Sequence, residues 1–240
     1  MGEPSAPIIL LAGGRAMRMR KGPDPLLQEV FRRAGARRPT VAYVGAASKD
    51  SAEFRLWMTC LLQEAGAGQV RLASLFGRHG DVQKAKKVLD SSDLVFLSGG
   101  DVEEGMRVLH EKGMVAVLRR LHRAGKLFFG MSAGSIMLSQ RWVRWKDPAD
   151  DTSAERFDCL GLAPVLCDTH GEEDGWEELK SLLALSPNGT IACGIVSGTA
   201  IVVETDGTVS ALGGEVQRFQ KRRGDVTQVE SLFPGRSTLP

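Results

Sequence analysis

Short runs of this chain are apolar at every position instead of at every second one. Ile8-Ile9-Leu10-Leu11, Val41-Ala42-Tyr43-Val44, Leu94-Val95-Phe96-Leu97 and Leu127-Phe128-Phe129 all read this way. A strand with no polar face has no side to turn to water, so it must be covered on both faces. Between these runs lie amphipathic stretches. From Pro25 to Ala36, Leu26, Leu27, Val30, Phe31 and Ala34 repeat at helical spacing. Ala52 to Ala65 and Asp81 to Leu89 read as further helices, the latter with Asp81 as N-cap. One helical stretch is expected from Asp101 to near Ala124. Buried strands joined by helical crossovers predict an α/β fold, a three-layer sandwich with a mainly parallel, doubly wound sheet.

The rhythm loosens after Ser139. Val70 to Ala73, Val165 to Cys167, Ile191 to Ile195 and Thr199 to Val203 are the remaining strand candidates. Asp206-Gly207 between Val202-Val203-Glu204 and Val209-Ser210-Ala211-Leu212 signals a hairpin. No long linker or repeat divides the 240 residues, so one domain over 1–240 is expected.

Composition narrows the function classes. A formal charge of +2 does not suggest nucleic acid, and the basic runs Arg15-Ala16-Met17-Arg18-Met19-Arg20-Lys21 and Lys221-Arg222-Arg223 read as solvated loops. The first apolar run spans about six residues, too short for a leader or a membrane span. Cys60, Cys159, Cys167 and Cys193 form no C-x-x-C pair and have no histidine at ligand spacing. A reduced cytoplasmic protein is expected, monomeric or homodimeric, with no metal and no organic cofactor.

Chemistry concentrates at Phe128-Phe129-Gly130-Met131-Ser132-Ala133-Gly134. A strand running into G-x-S-x-G and then into a helix is the context of a nucleophile elbow, in which a sharp turn lifts the serine hydroxyl above the sheet edge. Amides at the start of the next helix can stabilise an oxyanion. A serine needs a base, and there are four histidines. His110 and His122 fall inside helical stretches, and His79 lies in a loop. His170 follows a short strand, at the strand end where ligands gather in open α/β sheets. Spacing does not choose an orienting acid among Asp147, Asp150, Asp151, Asp168, Glu172, Glu173 and Asp174. The turn Ser98-Gly99-Gly100-Asp101 brings small residues to another strand end, where its amides can approach a substrate. Ala12-Gly13-Gly14-Arg15 lacks both G-x-G-x-x-G and G-K-S/T and does not read as a nucleotide loop.

Taken together, these motifs resemble the peptidase E (aspartyl dipeptidase) family, which includes cyanophycinase. The resemblance runs from Ala12-Gly13-Gly14 through Ser98-Gly99-Gly100-Asp101, Gly130-Met131-Ser132-Ala133-Gly134 and His170 to Leu212-Gly213-Gly214. It implies a class I glutamine amidotransferase-like fold, a Ser132 nucleophile, a His170 base, and oxyanion amides from Ala133 and the Gly99-Gly100 turn. It also implies a short peptide or isopeptide substrate. Members often carry an acid in a Gly-Ile-x-Glu run, where this chain has Gly194-Ile195-Val196-Ser197. Asp147, fifteen residues past Ser132, is the position at which members can carry a functional aspartate.

The segment after His170 also departs from the family. Relatives selective for acidic substrates tend to have arginines there, whereas this chain has Glu172, Glu173, Asp174, Glu177 and Glu178. Strict aspartyl specificity is therefore not expected. Two competing readings are a catalytically silent domain binding a small ligand in the same crevice and an ordinary α/β-hydrolase esterase. The short interval from Ser132 to His170 and the lack of an HGGG-type turn argue against the esterase.

Overall fold

A computed structural model describes residues 6–13, 22–77, 80–147, 149–235 and 237–238. Gly14, the basic run Arg15 to Lys21, and His79 lie outside the described residues. The uniformly apolar runs are the inner strands of an eight-stranded sheet. These are β1 (Ile8–Leu11), β2 (Thr40–Val44), β4 (Leu94–Leu97) and β5 (Leu127–Met131), with β3 (Gln69–Leu72) beside β2. The spatial order β3-β2-β4-β5-β1 is parallel throughout. It continues antiparallel through β10 (Ala200–Val203) and β11 (Val209–Leu212) to β14 (Ser237–Thr238). The Asp206-Gly207 hairpin forms as expected, with Glu204 N–H donating to the Thr208 carbonyl.

The sheet is covered on both faces, and alternate side chains of one strand serve opposite cores. Ile9 and Leu11 face α1 (Pro25–Ala34) and α2 (Ala52–Ala65), while Ile8 and Leu10 face the other side. That second side carries α3 (Val82–Ser91), α4 (Val102–Glu111), α5 (Met114–Arg123) and α6 (Ala133–Leu138). On the first face Phe129 stacks on Phe96 at 4.8 Å and meets Phe31 edge-on at 6.2 Å. Asp81 caps α3 as expected, accepting from the Gln83 and Lys84 amides. The expected long helix from Asp101 is two helices. It breaks at Gly113, whose φ of 65° lies in the left-handed region that glycine adopts without steric cost.

The weakly patterned second half builds a separate layer. β8 (Leu166–Thr169) pairs parallel to β9 (Ile191–Ile195), which is followed by β12 (Val216–Arg222) and β13 (Asp225–Leu232). α7 (Glu177–Ala184) covers one face of this four-stranded sheet through Leu179, Leu182 and Leu183. The other face packs into the core that α6 shares. A two-stranded hairpin, β6 (Arg141–Trp145) with β7 (Ala154–Asp158), lies beside α7. Three cysteines, Cys159, Cys167 and Cys193, are buried and free, and Cys60 is exposed and free. Among the described residues no helix is long and apolar enough to cross a membrane.

Candidate active site

Ser132 is the single residue between β5 and α6, with φ 53° and ψ −125°. Such a conformation costs a non-glycine residue on the order of 1–3 kcal/mol, so the surroundings must enforce it. They do so by close backbone packing. A Cβ on Gly130 would lie 2.5 Å from the Gly134 carbonyl, and one on Gly134 would lie 2.0 Å from the Leu97 carbonyl oxygen. The glycines of G-x-S-x-G are therefore demanded by main chain on main chain. The turn is tied to the neighbouring strand as well. Ser132 N–H donates to the Leu11 carbonyl at 2.9 Å, and Ser135 Oγ donates to the same carbonyl at 2.8 Å.

His170 arrives from the other sheet. It follows β8 directly with φ 46°, and its N–H donates to the Ile195 carbonyl at 2.9 Å. Its Nε2 lies 2.7 Å from Ser132 Oγ. The structure thus brings together two residues 38 positions apart, each held in a strained backbone conformation at a strand's end. Their meeting point opens on a cavity of about 320 Å³.

The glycine turn after β4 forms another wall. A Cβ on Gly99 would lie 3.3 Å from Ser132 Cβ, so this turn abuts the serine directly. Gly100 and Ala133 also line the cavity. Asp101 lines it while capping α4, accepting from the Glu104 amide at 2.8 Å.

Asp147 is not brought to this cavity. It sits in the exposed turn joining β6 to β7, where its carboxylate accepts from the Ala149 N–H at 3.0 Å. Five paired positions of that hairpin carry its turn out into solvent. Among the described residues the only hydrogen bond of the imidazole is to Ser132.

The carboxylates that do line the cavity, besides Asp101, are Asp168, Asp174 and Glu178. Asp168 is only 6% exposed and accepts from the Thr169 N–H at 2.7 Å. Burial first, then the charges of Glu178 and Asp174, push its carboxyl up to about 7. Glu178 is also raised, chiefly by burial. A hydrogen bond from Trp142 Nε1 at 2.8 Å and the field of His170 oppose that rise. At Ser197, where an acid was expected to be missing, a carboxylate arrives from the histidine loop. Glu172 Oε1 accepts from the Ser197 N–H at 3.0 Å, and its Oε2 is buried with no partner.

Sequence reasoning did not single out Glu178 or Trp142, since neither belongs to a motif. The acidic run after His170 was the one available signal. Trp176 was equally hidden. Its ring lies so close to β9 that a Cβ on Gly194 would come within 2.9 Å of it, and it holds the loop carrying Glu172 and Asp174.

Comparison with known proteins agrees with this architecture. Residues 8–211 match the signature of peptidase family S51. The chain is 27% identical over 195 residues to a cyanophycinase from Nostoc sp. (strain PCC 7120), covering 78% of this chain and 65% of that protein. It is therefore matched to just under two thirds of that relative's length. A peptidase E from Streptomyces coelicolor is 30% identical over 146 residues, covering 57% of this chain and 58% of that protein. The fold is also that of a peptidase from an acI-B1 Actinobacterium, with a TM-score of 0.74 at 16% identity, covering 99% of this chain and 98% of the other. With the elbow and His170 both within the matched span, the chain belongs to peptidase family S51.

Proposed function

We propose that this protein is a serine peptidase acting on short peptide or isopeptide bonds through Ser132 and His170. The observation that carries this reading is the 2.7 Å contact between Ser132 Oγ and His170 Nε2 across a strained, exposed elbow. His170 takes the serine proton as Oγ attacks the scissile carbonyl, forming the O–C bond of a tetrahedral intermediate. The negative oxygen is received by the amides of Ala133 and the Gly99-Gly100 turn, which need no reorganisation. The imidazolium then gives its proton to the leaving amine, and water, deprotonated by the same imidazole, releases the acid product.

Among the described residues no carboxylate hydrogen-bonds the imidazole, so charge stabilisation falls to Glu178, whose half-buried carboxylate already feels His170. The same acidic wall sets specificity. Asp101, Asp168, Asp174 and Glu178 repel an aspartyl side chain and favour a substrate carrying a cation beside the scissile bond.

The ungripped imidazole also favours a second reading, a domain that binds a small ligand in this cavity without turnover. A mixed di- and tripeptide library, incubated with native protein and with Ser132→Ala, separates the two. Cleavage by the native protein alone, favouring Lys and Arg over Asp on the acyl side, is expected. No cleavage by either protein overturns the peptidase reading. Equal cleavage of Asp-Leu and Lys-Leu overturns the specificity reading alone.

A further inference from the structure

A second cavity, of about 170 Å³, lies at the opposite end of β8 from His170. Much of its wall is apolar, with Val165 and Leu166 from the start of β8, Ile191 from β9 and Val209 from β11, and Gln140 and Thr190 add polar groups. Into it faces Arg218, on β12 directly across from Cys193. Both residues are on the inward face of the small sheet, since Val216 and Cys193 belong to the core beneath it while Phe219 packs with α7 on the outside.

Arg218 is half-buried, and among the described residues its guanidinium donates no hydrogen bond and pairs with no carboxylate. The cation of Arg33, on the helical layer, has by contrast two carboxylate partners. A guanidinium that faces a cavity and has no carboxylate partner keeps its donors available to an anion. The planar fork matches a carboxylate bidentately. A dry cavity of about 150 Å³ is large enough for benzene, so this one accepts a ring or a branched alkyl group. The catalytic cavity, walled by acids, would repel the same anion.

We propose that this cavity binds a small organic monocarboxylate, with its carboxylate on Arg218 and its apolar body among Val165, Leu166, Ile191 and Val209. The site does not depend on the peptidase reading, and its test needs no turnover.

The experiment is thermal unfolding of the intact protein with benzoate, at ionic strength matched by sodium chloride. Benzoate at roughly ten times a dissociation constant on the order of 1 mM is expected to raise Tm by about 3 °C. Benzamide, the same shape without charge, is expected to give no shift. Arg218→Gln should abolish the benzoate shift, and Arg218→Lys should weaken it by about tenfold in affinity, because an ammonium lacks the fork. No shift with benzoate in the native protein overturns the proposal. So does an equal shift with benzamide, or a benzoate shift that survives in Arg218→Gln.

Discussion

A methyl group on Gly134 would lie 2.0 Å from the carbonyl oxygen of Leu97. The helix that follows Ser132 is thus pressed against the end of β4, and the same close packing sets the turn at Ser132. Gly134→Ala is expected to cost about 3 kcal/mol or more, because backbone must move to admit the side chain. Urea denaturation gives the number. A fluorophosphonate should label Ser132 in this variant far more slowly than in the native protein, and unchanged labelling would show that the turn does not need the contact.

The proposal that His170 is the base rests on its 2.7 Å contact with Ser132. His170→Ala is expected to lower kcat by about four orders of magnitude while KM changes little, since the imidazole acts on the proton in flight. A loss under tenfold would assign the proton to another group.

Asp147 and Glu178 make a paired prediction. Asp147→Ala should leave kcat/KM within about twofold, because that carboxylate closes a local turn in solvent. Glu178→Gln should lower kcat about tenfold, by removing the charge that stabilises the imidazolium. The reverse ranking, measured on one substrate, would restore Asp147 as the functional acid.

Asp168 makes stability depend on pH. Its carboxyl titrates near 7 in the folded protein, against roughly 3.9 in an unfolded chain. The folded state therefore holds the extra proton between those values. That contribution is complete below about pH 4 and is lost as pH rises through 7, amounting to about 4 kcal/mol at most. Denaturation midpoints should fall between about pH 4 and 7 in the native protein, and Asp168→Asn should flatten the fall. Binding of cationic substrates should strengthen as pH rises through about 7, because the carboxyl becomes charged. An Asp168→Asn protein whose KM keeps the native pH dependence would remove Asp168 from recognition.

Much of the parallel sheet was readable from the sequence, because a strand buried on both faces must be apolar at each position. Ile8–Leu11 and Leu94–Leu97 could hardly fold otherwise. Local chemistry marked the caps just as directly, as Asp81 and the Asp206-Gly207 turn show. The second half was less legible. β13 is a largely exposed edge strand and β12 ends at an exposed turn, so their pattern is mixed, and α7 offers only eight residues of period.

The glycine-flanked elbow at Ser132 was legible for the same reason as the strands. Gly130 and Gly134 stand where main chain touches main chain, and that constraint is written in residue type. His170 could be placed at a strand end, but not at 2.7 Å from Ser132, because the two belong to different sheets. The acids were beyond reach of spacing altogether. A carboxylate's role depends on what surrounds it, and only the tertiary packing buried Asp168, aimed Trp142 at Glu178 and left Asp147 in solvent. The sequence by itself determined the buried strands and the elbow, through volume and backbone sterics. The electrostatics of the site were decided by the fold, since charge acts through space and not along the chain.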